Sequence, residues 1–333
     1  MNSRELVIKS LEFDSPRRVP RQMWFLPWAT LHYPHEVARL QQQFPDDIIS
    51  APSFYTTPLP VVGDPYRPGV YKDEWGCTFK NIQPGLIGEV KEPLVQAWSE
   101  LDKVRLPEER LSCDIDQINA FCQNTGQFVL AGCEPRPFER LQFIRSSVNL
   151  LIDLLEQPAE LLILLDRLHQ FYLKELELWA RTEVDALMFM DDWGAQRSLL
   201  VSPRLWRQIF KPLYQEYIDL AHSYGKYAFM HSDGYILDII PDLIELGLDA
   251  LNSQLFCMGV ENLGRQFRGK ITFWGEIDRQ YLLPFGRQEE IIQAVREVQT
   301  WLSWQGGVIA QCEFGAGAKP ENVSLVFETW DQF

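Results

Sequence analysis

The chain has 333 residues, of which 46% are hydrophobic and 23% are charged, and its formal net charge is −15 at pH 7. These proportions are ordinary for a globular protein and argue against intrinsic disorder. The negative charge disfavours nucleic acid and anionic membrane surfaces as partners, and favours a small molecule or another protein. No apolar run is long enough to span a membrane and no secretory segment opens the chain, so we expect a cytoplasmic protein.

Six cysteines are spread along the chain without a Cys-x-x-Cys pair. This spacing favours buried thiols over a disulfide framework or a zinc ribbon. The cysteines are Cys77, Cys113, Cys122, Cys133, Cys257 and Cys312.

The first part of the chain alternates between helical and strand-like segments. We predict helices over residues 3–13 and 36–43, and strands over 21–25 and 47–50. Residues 52–112 then carry eight prolines among glycines and aromatics, which excludes long helices and most central strands. We interpret them as an insertion with a small hairpin around 70–89. Because a loop of this length usually covers a site, we expect the insertion to help close a pocket.

From residue 128 strands and helices alternate regularly. Predicted strands cover 128–133, 184–190, 227–231, 250–254, 271–275 and 308–312. Predicted helices cover 138–156, 158–181, 203–224, 236–246, 260–268 and 287–304, with a last helix from Pro320.

Eight apolar strands, most of them followed by a helix, predict a parallel sheet covered on both faces. Eight such units can close into an α/β (β/α)8 TIM barrel, and we expect one domain over residues 1–333. A doubly wound open sheet is the alternative fold. No Gly-x-Gly-x-x-Gly pattern follows the first strand to support it.

The carboxyl ends of barrel strands meet at one mouth, where active sites lie. The clearest such end is the apolar strand that finishes in His231 and Asp233. The other residues expected at the mouth are Trp24, Trp28, Asp46, Asp47, Cys133, Glu134, Asp191, Asp192, Gln196, Asn252, Gln254, Trp274, Glu276, Cys312 and Glu313.

An imidazole and a thiolate at neighbouring strand ends form a candidate zinc site. His231 and Cys312 would be two ligands, and Asp233 or Glu276 would complete a site with one open position. The alternative is a structural His231 bonded to Asp233, beside an inert buried cysteine.

Two further groups of side chains at the mouth have both functional and structural interpretations. Asp191 and Asp192 could act as an acid or orient a substrate, or they could cap the following turn. Four tryptophans could form an aromatic wall for a flat or apolar ligand, with two glutamines beside it, or they could simply pack. The tryptophans are Trp24, Trp28, Trp193 and Trp274, and the glutamines are Gln196 and Gln254.

Several short motifs resemble the uroporphyrinogen decarboxylase superfamily, across nearly the whole chain. This resemblance implies an (α/β)8 barrel and either a decarboxylase or a cobalamin-dependent methyltransferase. The motifs are Pro16-Arg17-Arg18-Val19-Pro20, Asp191-Asp192-Trp193-Gly194 with Ser202-Pro203, His231-Ser232-Asp233-Gly234, Gly247-Leu248-Asp249 and Pro320-Glu321-Asn322-Val323.

The chain departs from the decarboxylase pattern of the superfamily. Decarboxylases carry an Arg-Gln-Ala-Gly-Arg motif whose arginines hold the substrate carboxylates. Here Arg21 and Gln22 are followed by Met23 and Trp24, with no second arginine. The methyltransferases bind zinc through His-x-Cys and a later cysteine. His231 and Cys312 match this pattern, whereas Asp233 replaces the middle cysteine.

We therefore expect a methyltransferase-like enzyme with Zn²⁺ on His231, Cys312 and Asp233 or Glu276. The resemblance implies a small methylated substrate and a corrinoid carried by a separate protein. One alternative is a decarboxylase without metal, in which Asp46 or Asp47 stabilises a protonated pyrrole. Another is a barrel that binds a ligand without catalysis. The sequence leaves the substrate and the oligomeric state open.

Overall fold

The computed structural model describes residues 1–333 and contains one eight-stranded parallel sheet. The chain has eleven strands: β1 (Arg21–Phe25), β2 (Ile48–Ser50), β3 (Gly69–Lys72), β4 (Thr78–Asn81), β5 (Glu89–Val90), β6 (Phe128–Leu130), β7 (Ala186–Met190), β8 (Tyr227–Ser232), β9 (Ala250–Ser253), β10 (Thr272–Trp274) and β11 (Val308–Phe314). The parallel sheet has the order β1-β11-β10-β9-β8-β7-β6-β2. Between its two ends, the Asp47 N–H donates to the Arg21 carbonyl at 2.8 Å. The predicted (β/α)8 barrel is confirmed.

Fifteen helices surround and extend the barrel. They are α1 (Ser3–Leu11), α2 (Pro27–His32), α3 (Pro34–Gln43), α4 (Ile115–Gln123), α5 (Pro137–Arg145), α6 (Ser147–Glu156), α7 (Ala159–Ala180), α8 (Pro203–Ile209), α9 (Lys211–Ser223), α10 (Ile240–Glu245), α11 (Leu255–Met258), α12 (Val260–Phe267), α13 (Leu282–Phe285), α14 (Gln288–Leu302) and α15 (Pro320–Trp330). None of them is both long and apolar enough to span a membrane.

The barrel strands bury side chains on both faces, because successive residues point alternately to the barrel interior and to the helices. The interior side chains form an inner cluster with two residues of α1. Its members are Val7, Leu11, Ile48, Phe128, Leu130, Ala186, Met188, Phe229, Ala250, Trp274 and Ile309. The opposite faces of the strands pack with the helices in a larger outer cluster, which includes Leu187, Met230 and Cys312.

The proline-rich insertion forms its own small antiparallel sheet of β3, β4 and β5, at the position where a hairpin is predicted. Two short 3-10 helices, Trp98–Lys103 and Glu108–Leu111, follow it. A buried ion pair between Asp73 of the insertion and Arg140 of α5, 2.5 Å apart, fixes the small sheet over the barrel. The insertion therefore covers one side of the structure beside β6 and β7.

Several predicted elements differ from the structure for local reasons. The helix predicted over 138–156 is divided at Ser146, whose φ of 69° is incompatible with a helix. The helix predicted over 203–224 is divided before Lys211, because Pro212 occupies the first turn of α9. Asp46 and Asp47 precede β2 and lie at the amino ends of the strands, where Asp47 pairs with Arg18. Their predicted position at the mouth is wrong.

Candidate active site

Three side chains converge at the carboxyl ends of β7 and β8. His231 is buried on β8, and its Nε2 lies 3.5 Å from Oδ1 of Asp192 and 3.5 Å from Oδ1 of Asp233. The backbone N–H of Asp233 donates to the same Asp192 oxygen at 3.0 Å. The structure thus brings together the predicted His231, Asp192 and Asp233 on one side of the mouth.

The orientation of the His231 ring is set by Asn252 on β9. Nδ1 of His231 lies 2.6 Å from Oδ1 of Asn252, whose Nδ2 donates to the Trp274 carbonyl. This arrangement places a proton on Nδ1 and directs Nε2 toward the two aspartates, where Nε2 also carries a proton at neutral pH. Burial lowers the pKa of His231, but the hydrogen bond to Asp192 and the charge of Asp233 outweigh burial and raise this pKa to about 9. Burial raises the pKa of Asp192, whereas His231 lowers it, and the net shift is downward.

The donor atoms of these three residues could hold a metal ion. One ligand atom from each of Asp192, His231 and Asp233 lies within 4.8 Å of the others. Oδ1 of Asp233 is buried and has no hydrogen-bond partner, so it is available as a ligand. Two carboxylates and one imidazole suit Zn²⁺, and also Mn²⁺ or Fe²⁺, which accept oxygen-rich sites. The residues present therefore fit a divalent metal.

Arg279 occupies the centre of the mouth and was not predicted from the sequence. Its guanidinium contacts Asp233 through Nη2, lies 2.8 Å from Glu313 through Nη1 and 3.5 Å from Glu276 through Nε. Burial lowers the pKa of Arg279, but these carboxylates raise it above its usual value. The only sequence signal was its place three residues after Glu276, in the segment that follows β10.

Glu276 is the most deeply buried carboxyl group of this cluster, at 2% exposed. Burial raises the pKa of Glu276 to about 8, although the charge of Arg279 opposes this shift. Its Oε2 has no hydrogen-bond partner. Glu276 is therefore a protonated carboxyl group near neutral pH, with a free oxygen beside the mouth.

Cys312 does not lie with His231. Successive residues of β11 point to opposite faces, so Ile309, Gln311 and Glu313 face the barrel interior. Cys312 therefore points outward to the helices and belongs to the outer cluster. Its strand neighbour Met23 lies in the same cluster. The structure therefore does not bring Cys312 to the predicted zinc site, and Glu313 is the β11 residue that reaches the mouth.

Asp191 also faces the helical layer. Its carboxylate accepts hydrogen bonds from the backbone N–H groups of Phe138 and Glu139, at 3.0 and 2.7 Å, and from the Tyr214 hydroxyl at 2.6 Å. Burial raises the pKa of Asp191 to about 8, although these three hydrogen bonds oppose the shift. Asp191 therefore caps the start of α5, and not the turn after its own strand as expected in the capping alternative.

The predicted tryptophans occupy three different environments. The Trp24 ring lies 5.3 Å from both the His231 and the Trp274 rings, so these two indoles belong to the mouth. Trp193 is fully buried in the outer cluster and stacks on Phe138. Trp28 lies on α2, where its ring stacks on His32 at the surface.

Cavities surround the mouth on three sides. One of about 200 Å³ lies between Arg279, Glu276 and the predicted Gln254. A second of about 440 Å³ extends from Arg279 to Gly315–Ala318. A third of about 320 Å³ is lined mainly by apolar side chains and includes Trp24. The predicted Gln196 is exposed and bonds Gln280 at 3.1 Å, at the outer edge of the mouth.

Comparison with known proteins places the fold in a family. The family model of uroporphyrinogen decarboxylase (URO-D) matches residues 70–333. Among solved structures, the chain is similar to a methyltransferase from Methanosarcina mazei, with a TM-score of 0.65 and 14% sequence identity, over 100% of this chain and 99% of the other. This similarity establishes the fold alone. A search of curated protein sequences gives no match. Since the family model spans more than half of the chain, the protein belongs to the uroporphyrinogen decarboxylase family.

Proposed function

We propose that the protein is a methyltransferase-like enzyme that moves a methyl group from a small methylated substrate to a corrinoid on a separate protein. A divalent metal, Zn²⁺ by our proposal, would be held by Asp192, His231 and Asp233. The observation that carries this proposal is the convergence of three ligand atoms within 4.8 Å in the barrel mouth. The similarity of the fold to a solved methyltransferase is consistent with it.

The residues of the mouth have distinct tasks in this reaction. A bound metal would polarise the heteroatom that carries the methyl group. When the bond between the methyl carbon and this heteroatom breaks, the heteroatom keeps the electron pair, and the reduced corrinoid cobalt, a co-substrate, takes the methyl group. Glu276, protonated near neutral pH, would supply a proton to the leaving heteroatom. Asn252 orients His231, and Arg279 holds Asp233 and Glu276 in place.

The charges of the mouth argue against the decarboxylase alternative. A porphyrinogen with many carboxylates would meet Asp192, Asp233 and Glu313 there. The one arginine among these groups, Arg279, is already paired with carboxylates. Asp46 and Asp47, the residues expected to stabilise a protonated pyrrole, lie at the opposite ends of the strands. These positions favour methyl transfer over decarboxylation.

Elemental analysis of protein purified without a metal-chelating tag tests the metal site. We expect about one metal ion per chain in the wild type, because three protein ligands form a single metal site with one open position. Asp192→Asn and His231→Ala should lose the ion, and Cys312→Ala is the matched control that should keep it. Absence of metal in protein supplied with zinc, or its loss only in Cys312→Ala, would contradict the proposed site.

Methyl transfer is then tested with a reduced corrinoid protein as the acceptor and a panel of methyl ethers, methylamines and methyl thioethers. Transfer that depends on His231 and Glu276 supports the proposal. Tight binding of a ligand without turnover, in the presence of the corrinoid protein, would instead indicate a barrel that binds without catalysis.

A further inference from the structure

A fourth cavity, of about 320 Å³, lies beneath the small antiparallel sheet of the insertion and contains none of the proposed metal ligands. We call it the insertion cavity. It is bounded by the insertion, the second 3-10 helix, the end of β6 and the helices α5 and α7. Its lining consists of Tyr71, Asp73, Glu74, Phe79, Ile87, Gly88, Arg110, Glu134, Arg136, Glu139, Arg140, Phe143 and Tyr172.

Two arginines of this cavity each bond to carboxylates through part of the guanidinium group. Each also has a guanidinium nitrogen that makes no hydrogen bond. Arg110 donates from Nε to Glu175 at 2.6 Å and from Nη1 to Glu74 at 2.9 Å, and its Nη2 makes no hydrogen bond. Arg140, 6% exposed, donates from Nη1 to Asp73 at 2.5 Å, and its buried Nε has no partner. The cavity thus contains fixed donors without acceptors.

Tyr172 adds a third donor. Its side chain is 1% exposed, and its ring packs 5.7 Å from Trp75, whereas its hydroxyl makes no hydrogen bond. Tyr172 lines the cavity, so a ligand oxygen placed there could accept a hydrogen bond from this hydroxyl. The donors therefore indicate a ligand that presents oxygen acceptors.

The charges of the cavity exclude an anion as the best ligand. Three guanidinium groups are paired with five carboxylates, so a further negative charge would be repelled. The pairs are Glu74 and Glu175 with Arg110, Glu134 and Glu139 with Arg136, and Asp73 with Arg140. Aromatic side chains of Tyr71, Phe79 and Phe143 supply flat apolar walls that suit a ring.

The insertion cavity adjoins the mouth. Glu134 lines both this cavity and the apolar cavity that contains Trp24. The Trp24 ring in turn lies 5.3 Å from the His231 ring. One elongated small molecule could therefore extend from the insertion cavity past Glu134 to His231.

We propose that the insertion cavity binds the non-reacting end of the substrate, and that this end is an uncharged planar ring bearing a carbonyl or similar oxygen acceptor. The assignment to the substrate rests on the proposed methyl transfer, whereas the binding of such a ring does not. The donors Arg110, Arg140 and Tyr172 would hold its oxygen, and the aromatic walls would hold its faces.

The test uses three probes of similar shape and different charge: benzamide, benzoate and benzylammonium. Their affinities are measured by calorimetry and by saturation-transfer NMR on the full chain. We expect benzamide to bind most tightly, and Tyr172→Phe to weaken its binding about three- to tenfold, as for the loss of one hydrogen bond. Tyr224→Phe is the matched control, since the hydroxyl of Tyr224 lies at the surface against Glu177, and it should leave the affinity unchanged.

A second variant guards against a structural effect of Tyr172→Phe. Ile87 is 58% exposed at the rim of the cavity, so Ile87→Trp should narrow the entrance without disturbing the core and should also weaken benzamide binding. Tighter binding of benzoate than of benzamide, or an affinity for benzamide that neither variant changes, would overturn the proposal.

His231→Ala separates this inference from the proposed function. We expect this variant to bind benzamide as the wild type does. If the probes behave as expected and no methyl transfer is found, the binding site stands and the proposed function fails. If methyl transfer occurs and Tyr172→Phe leaves the KM of the substrate unchanged, the cavity does not hold the substrate and the inference fails alone.

Discussion

Nδ1 of His231 on β8 donates to Oδ1 of Asn252 on the neighbouring β9, at 2.6 Å, and Asn252 in turn donates to the carbonyl of Trp274 on β10. A chain of hydrogen bonds thus crosses three adjacent strands beneath the mouth. It fixes the direction of the imidazole ring before any metal or substrate binds. Partners of this kind tune the affinity of a metal-binding histidine.

Replacement of Asn252 should therefore weaken metal binding without removing a ligand. We expect Asn252→Ala to lower metal affinity about 10- to 100-fold, measured by competition with a chelating dye. Asn262→Ala on α12 is the control, since the amide of Asn262 bonds only within its own helix region: it donates to the Met258 carbonyl and accepts from the Gln266 amide. Equal metal affinities in both variants would show that the hydrogen bond from Asn252 to the His231 ring is not needed for metal binding.

Two adjacent aspartates should respond differently to the same change. Asp191→Asn should lower the free energy of unfolding by about 1–3 kcal/mol, because the amide nitrogen cannot accept from the N–H groups of α5. Asp192→Asn should instead lose the metal with little loss of stability. Urea unfolding and metal content, measured on both variants, check this. Loss of metal in Asp191→Asn at unchanged stability would contradict the capping role.

Loss of Arg279 should leave the carboxylates of Asp233 and Glu313 without their shared cation, beside the protonated Glu276. We expect Arg279→Met to lower the free energy of unfolding of the metal-free protein by about 2–4 kcal/mol, since one partner of a largely buried ion pair is removed. Arg265→Met, at an exposed pair with Glu261, is the control and should change little. The free energies of unfolding of the two variants are compared by urea unfolding at pH 7 in the presence of a chelator. A similar loss in both variants would contradict the stabilising role of Arg279.

The raised pKa of Glu276 predicts that the free energy of unfolding depends on pH. Its pKa is about 8 in the folded protein against an ordinary 4.5, so the folded state retains a proton that the unfolded state has released. Stability from this group is complete below pH 4.5 and is lost as pH rises through 8. Between pH 6 and 8 the loss should be about 2–3 kcal/mol. Glu276→Gln should flatten this slope in urea unfolding of the metal-free protein, and an unchanged slope would refute the assignment.

The barrel could be predicted because its strands are short apolar runs separated by helical segments. The positions of His231 and Asp233 at the end of β8 follow from the same pattern. The side of the sheet to which Cys312 points could not be predicted in this way. A strand buried on both sides has no alternation of polar and apolar residues to show which side chains point inward. The pattern placed Cys312 and Glu313 at the same tip, and only the structure separates them.

The remaining site residues depend on contacts between distant segments. Arg279 lies in a segment without regular structure, and its three partners come from this same segment after β10, from β11 and from the residues after β8. Asp46 and Asp47 precede a strand of three residues and already stood at the start of the strand predicted over 47–50, so the predicted bounds themselves placed them at its amino end and away from the mouth. The donors of the insertion cavity come from a 3-10 helix and two α-helices. No local sequence pattern indicates that these three helices lie together.

Arg279 has a consequence for the assembly of the protein. Many metal centres group negative side chains that repel one another until the ion arrives, so the empty form is loosened. Here a cation that belongs to the chain already compensates Asp233 and Glu313. If the proposed metal site is correct, the newly made polypeptide can complete its barrel before the ion binds and take up the ion as a folded protein.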